Sequence, residues 1–113
     1  MKHNMKLNPV PFEMIKNGQK TIELRLYDEK RRKIDVGDEI VFTNNRTSQI
    51  ICTTVMNLHI FDSFDSLYKE LPLLLCGYTS ENVSEAKAAD MELYYSKSEQ
   101  EAYGVVGIEL LVN

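Results

Sequence analysis

The sequence predicts an α+β domain, a small and mostly antiparallel curved sheet or barrel with two or three helices beside it. Three observations lead there. The chain has 113 residues, enough for one hydrophobic core and not for two, so residues 1–113 are expected to form a single domain. Lys20 to Tyr27 alternates apolar and polar residues with period two, and the closing run Tyr103 to Val112 is apolar enough for a central strand. Strand-like runs outnumber helical ones, and no repeat or low-complexity stretch interrupts them.

The elements follow in order. Residues 1–8 read as an extended lead-in or an edge strand. Pro9 and Pro11 suit the first turn of a short helix, where a missing N–H costs nothing, and Phe12 and Ile15 share one face of it. Gly18, just past Asn17, stands where a left-handed C-cap glycine belongs. In the strand that follows, Ile22, Leu24 and Leu26 point to the core, while Thr21, Glu23 and Arg25 point to solvent or a cleft. Residues 28–35 read as a polar loop, Val36-Gly37-Asp38 as a turn, and Glu39 to Thr43 as a strand burying Ile40 and Phe42. A hairpin connection at 44–48 leads into a long strand from Gln49 to about Ile60. Asp62 or Ser63 caps a helix with Phe64, Leu67, Tyr68 and Leu71 inward, and Pro72 ends it. Leu73 to Cys76 is then a buried apolar turn closed by Gly77. A further helix is expected over Glu85 to Tyr95, capped by Ser84, with Ala88, Met91, Tyr94 and Tyr95 on its inner side.

Composition narrows the function classes. Hydrophobic residues make up 43% and charged residues 27%, which excludes a disordered or collagen-like chain. No apolar run approaches the roughly 20 residues of a membrane span, and Met1 to Asn8 is polar with no apolar stretch behind it. The expectation is a cytoplasmic protein with no membrane partner. Cys52 and Cys76 sit among apolar neighbours and are expected to be unpaired in a reducing compartment. His3 and His59 are the only histidines and form no ligand-spaced pattern with the cysteines, so no metal site and no cofactor is expected.

The net charge of −4 argues against wrapping nucleic acid over the whole surface, but the charge is unevenly spread. Residues 1–57 carry a net +3 and residues 58–113 a net −7. The basic residues gather at Lys16, Lys20, Arg25 and the run Lys30-Arg31-Arg32-Lys33. Such a patch can hold phosphates locally, or be ordinary solvated surface. Within it, Gly18-Gln19-Lys20-Thr21-Ile22-Glu23-Leu24-Arg25 stands out. Glu23 and Arg25 are neighbours on one strand face, and turn geometry at the strand's first residue can bring the Lys20 stem around to join them. A Lys–Glu–Arg cluster can bind a phosphate or carboxylate; the plainer alternative is a surface ion-pair ladder contributing about 0–1 kcal/mol.

At these residues the sequence resembles a known family. The pattern F-x-x-I-x-x-G-x-K-T-I-E-x-R from Phe12 to Arg25, followed by I-x-x-G-D-x-I-x-F from Ile34 to Phe42, resembles the ASCH domain of the PUA-like superfamily. The ending Tyr103-Gly104-Val105-Val106-Gly107-Ile108 resembles the family's closing strand. The resemblance implies a PUA-like β-barrel with a cleft at its open side and a role in binding RNA or a nucleoside-like small molecule. Gly18, Lys20 and Arg25 would line that cleft.

Some small members of the family are amidohydrolases acting on N4-acetylcytidine. They carry a lysine matching Lys20, a threonine where this chain has Glu23, and a later glutamate. Here the later region offers only Glu70 and Glu81 nearby. A glutamate beside Lys20 favours its charged ammonium and weakens it as a base or nucleophile. In an enzyme, Lys20 and Glu23 would carry the chemistry, with Glu23 as general base and Lys20 or Arg25 as oxyanion donor. In a binding module, Gly18, Lys20, Glu23, Arg25, Lys30, Arg31, Arg32 and Tyr103 are the candidate contacts. Tyr103 is singled out among the tyrosines Tyr27, Tyr78, Tyr94, Tyr95 and Tyr103 as the ring to stack on a base. The binding module is favoured because the catalytic set is incomplete.

Overall fold

The alternating segments become five strands in the computed structural model, which describes residues 1–113. They are β1 (Lys2–Leu7), β2 (Ile22–Leu26), β3 (Glu39–Asn44), β4 (Ile50–Phe61) and β5 (Val105–Val112). Their order across the sheet is β1-β3-β4-β5-β2, antiparallel except for the parallel β1–β3 pair. β4 is long enough to pair with β3 over Ile50 to Thr54 and with β5 over Thr53 to Phe61. A register shift between Val55 and Asn57 bends it there, as a bulge does, and the sheet curls into a half-barrel. The result is the α+β, PUA-like architecture, with three helices: α1 (Pro9–Lys16), α2 (Phe64–Glu70) and α3 (Lys97–Tyr103).

The curl divides the core in two. Met5, Phe12, Ile15, Ile40, Phe42, Val106 and Ile108 fill the concave side. Ile22, Leu24, Leu26 and Val105 pack on the other side against Phe64, Leu67, Cys76 and Met91. Both faces of β2 are therefore covered. In the β2–β5 register Glu23 lies opposite Ile108 and Arg25 opposite Val106, so the polar residues of β2 face the concave side. β1 is pinned at its start by Asp38, whose carboxylate accepts from the Met1 nitrogen at 3.2 Å and pairs with His3 Nε2 at 2.8 Å. The His3 bond leads the causes that pull Asp38 down to about 2.

Several expectations need correction. Residues 28–35 are not a plain polar loop. They hold a 3-10 turn, Arg31–Lys33, and Ile34 is buried at 3% exposure in the concave core. The apolar turn 73–76 buries only Cys76 well; Leu74 and Leu75 are exposed. No α-helix spans 85–95. Two 3-10 turns, Val83–Glu85 and Ala88–Leu93, are separated by extended backbone at Ala86 and Lys87. Asn82 Oδ1 accepts the Thr79 N–H at 2.7 Å, and Asp90 accepts the Lys87 N–H at 3.2 Å, a capping bond that starts a new turn at Ala88 instead of continuing one from Glu85. Tyr94, expected inward, is exposed. The helix that does form, α3, has a reciprocal capping box: Ser96 Oγ accepts from Glu99 N at 3.1 Å, and Glu99 accepts from Ser96 N at 3.0 Å.

Gly104 ends α3 at φ +73, and a Cβ there would meet the Phe61 carbonyl oxygen at 3.0 Å. Gly104→Ala is expected to cost about 1–3 kcal/mol through a strained left-handed backbone and a contact that cannot relax sideways. A denaturant melt checks this as a lower midpoint at unchanged slope.

Candidate functional site

The edges of the half-barrel, β1 and β2, are not joined by a backbone ladder. A side chain spans the gap: Arg25 Nη2 donates to the Lys6 carbonyl of β1 at 3.1 Å. Arg25 also grips Glu23, with Nε at 2.8 Å and Nη2 at 2.7 Å from Oε2. The other carboxylate oxygen, Oε1, lies 2.7 Å from Lys20 Nζ. Lys20, Glu23 and Arg25 therefore form one cluster at the seam.

Local backbone puts Lys20 there. Gly18, at φ +86, turns the chain out of α1, and Lys20 N bonds back to the Met14 carbonyl at 2.9 Å. The Lys20 stem then lies along Gly77, whose φ is +111 and where a Cβ would sit 3.5–3.8 Å from the lysine's outer atoms. Two glycines thus place one lysine. Gly18 shapes the turn but is not among the residues lining the cleft.

Lys20 is 9% exposed and Glu23 4%. Burial pushes the Glu23 carboxyl up, but the charges and hydrogen bonds of Lys20 and Arg25 outweigh it and hold the group below its ordinary value. A carboxylate held ionised this firmly is a weak general base. The same pairing outweighs burial at Arg25, whose guanidinium is held more firmly charged. Lys20 Nζ has no protein partner but Glu23, and Arg25 Nη1 makes no protein hydrogen bond. Glu23 fixes two cations whose remaining N–H donors are free.

These residues form part of the lining of a cleft of about 800 Å³ between β1, the start of α1, β2 and the segment from Tyr68 to Tyr95. Four cations line it, Lys6, Lys20, Arg25 and Arg46, against two carboxylates, Glu23 and Asp90. One wall is aromatic. Tyr68 and Tyr78 meet edge to face with ring centroids 5.8 Å apart, and Tyr95 stacks on Phe64 at 6.2 Å. The Tyr68 and Tyr78 hydroxyls are 2.7 Å apart, and Tyr78 Oη donates to Asp90 Oδ2 at 2.8 Å. Burial raises all three tyrosines, Tyr68, Tyr78 and Tyr95, above the usual phenol value. Cys76, also in the lining, is pushed up to about 11, chiefly by burial, so its thiol stays protonated and unreactive at neutral pH.

The other sequence candidates lie elsewhere. Lys30, Arg31 and Arg32 do not line the cleft. Arg31 Nη1 is 3.4 Å from Asp28, while Arg32 covers the Tyr27 ring at 4.3 Å and donates to the Tyr103 carbonyl at 2.9 Å. Tyr103 sits with that loop, away from Lys20. Glu70 and Glu81 are outside the cleft too; the later carboxylate in it is Asp90, which sequence reasoning did not single out. Both cysteines are free, and no group of three or more His, Cys, Asp or Glu is placed to hold a metal ion. No helix is long and apolar enough to cross a membrane.

A curled five-stranded sheet with a cationic cleft at its open seam defines a PUA-like half-barrel. The chain belongs to the ASCH domain family, whose model matches residues 5–112. Among solved structures it is similar to hypothetical protein PH0355, with 32% identity over 100% of both chains and a TM-score of 0.81. It is also similar to protein PF0455 from Pyrococcus furiosus, with 30% identity over 99% of this chain and 97% of that one, TM-score 0.76. ASCH from Zymomonas mobilis shares the fold, with 15% identity over 97% of this chain and 66% of that one, TM-score 0.62. No curated protein matches the chain.

Proposed function

We propose that this ASCH domain is a cytoplasmic binding module that holds one nucleotide of an RNA, or a free nucleoside-like molecule, in the seam cleft. The observation that carries the reading is the buried Glu23 holding Lys20 and Arg25 with unpaired donors in a cleft large enough to take a nucleoside. Phosphate or ring-carbonyl oxygens of the ligand accept from these cations, Lys6 and Arg46 adding positive charge at the rim. The base lies against the tyrosine wall, where stacking contributes about 1–3 kcal/mol.

The hydrolase alternative is weaker. Its proton acceptor would be Glu23, which is already committed to two cations, and the threonine of the amidohydrolase pattern is absent.

Titration with nucleoside monophosphates and a short single-stranded RNA, at low and high salt, tests the reading. Saturable, salt-weakened binding that falls about tenfold or more in Lys20→Met is the expected result. Mass spectrometry on N4-acetylcytidine and other acylated nucleosides runs beside it. Lys20-dependent product release would replace the binding module with the hydrolase, and absence of both binding and turnover would end both readings.

A further inference from the structure

The two sides of the cleft differ in hydrogen-bonding sense. Lys20 and Arg25 can only donate. On the aromatic wall, Asp90 is held below the ordinary carboxylate value, first by the Tyr78 hydrogen bond and then by the Lys87 N–H. An ionised carboxylate only accepts, so Tyr78 must spend its single proton on Asp90. The short contact between the two phenol oxygens then has one solution: Tyr68 donates to Tyr78. That leaves Tyr68 Oη with free lone pairs and no proton to spare, and Asp90 Oδ1 with no protein partner. Every free hydrogen-bonding position along this chain of three residues is an acceptor, and all three residues line the cleft.

We propose that the Tyr68–Tyr78–Asp90 chain makes its own stretch of the wall acceptor-only and selects ligands that carry an N–H donor opposite their carbonyl or phosphate acceptors. An amino-bearing base is then preferred to the oxo base of the same ring. An exocyclic amino group donates to Tyr68 or Asp90 while the ligand's acceptors face Lys20 and Arg25. An oxo group at the same position points lone pairs at lone pairs and leaves acceptors that the bound ligand covers unpaired, which is the costly kind of mismatch. The three residues act here as specificity determinants, and the inference rests on the nucleoside-binding reading above.

Isothermal titration of the whole protein with CMP, UMP, AMP and IMP, with inorganic phosphate as a probe of the cations alone, separates the two ideas. Each amino nucleotide is expected to bind about tenfold or more tighter than its oxo partner, the discrimination of one well-placed base contact. In Asp90→Asn the carboxamide can turn its NH2 toward Tyr78 and free the chain's polarity, so the preference collapses while phosphate affinity holds. Tyr68→Phe removes only the terminal acceptor and acts in the same direction, with its melting curve confirming a folded domain. Equal binding of all four nucleotides, or a preference that survives both variants, overturns the selectivity and leaves the pocket standing. No nucleotide binding by the wild type overturns both.

Discussion

Glu23→Gln is expected to lower the melting temperature by on the order of 10 °C or more, the largest stability effect of any single polar substitution in this chain. Glu23 is 4% exposed and neutralises two cations that are themselves mostly covered, with Lys20 Nζ at 2.7 Å and Arg25 Nη2 at 2.7 Å. Glutamine keeps the shape but leaves both charges facing each other without an anion. Breaking a buried ion pair in this way costs about 3–5 kcal/mol, because an uncompensated charge stays behind. Lys20→Met is expected to cost less. It removes one cation, leaves Glu23 paired with Arg25, and keeps an unbranched stem against Gly77. A reversed order would mean that the cluster is not electrostatically centred on Glu23.

The pH dependence has a definite sign. Glu23 is held below its ordinary value of 4.5, so the folded state favours the ionised form. The stability this supplies is fully present above that value and disappears as the pH falls through the folded-state value. The wild-type midpoint should therefore decline on acidification below about pH 4.5, where unfolded carboxylates begin to protonate. Glu23→Gln, lacking the group, should show a shallower decline. Parallel acid limbs in the two proteins would count against the assignment.

How much of this was legible in the sequence depends on the range of the forces involved. Local signals read well. The period-two run of β2, the prolines opening α1, the Ser63 cap of α2 and the apolar closing strand each rest on neighbours a few residues apart. The S-x-x-E box of α3 was equally local and equally readable, at Ser96 and Glu99, but it lay hidden behind the expectation of a longer helix before it. That longer helix failed because the Ala- and Glu-rich composition of 85–93 favours helix, while Asn82 and Asp90 bond local N–H groups and the backbone between the two 3-10 turns stays extended. Propensity is a weak prior against such local competition.

The site divides along the same line. Lys20, Glu23 and Arg25 are five residues apart at most, and strand parity together with one turn brings them into a cluster. The tyrosine wall comes from residues 68 to 95, and its inward partner Asp90 is one acidic residue among ten in the second half. Nothing in a linear pattern marks which of those ten lines the cleft. The basic run 30–33 stands apart from the cleft for a different reason. Its charge is dense, but Arg31 pairs with Asp28, and Arg32 is folded back on Tyr27 and the Tyr103 carbonyl.

That division makes Lys20→Met and Arg32→Ala behave differently toward ligands of different length. On the proposed reading a single nucleotide sits in the cleft, whose lining includes Lys20 but not the 30–33 loop. Lys20→Met is expected to weaken a nucleoside monophosphate about 10- to 100-fold, the loss of one charge-assisted hydrogen bond of roughly 1.5–3 kcal/mol. Arg32→Ala should leave that affinity unchanged, since its guanidinium serves the Tyr27 ring and the Tyr103 carbonyl instead. A longer single strand leaving the cleft meets more of the basic half of the chain. With it, Arg32→Ala is expected to reduce both affinity and salt dependence if the strand runs over this loop, each lost phosphate contact lowering the magnitude of the slope by about 0.7. Measuring both variants against both ligands, at two salt concentrations, locates the path. Loss of mononucleotide binding in Arg32→Ala would move the binding site from the seam to the loop. Unchanged mononucleotide binding in Lys20→Met would remove the cleft from the function altogether, because Lys20 is the one buried cation in the lining.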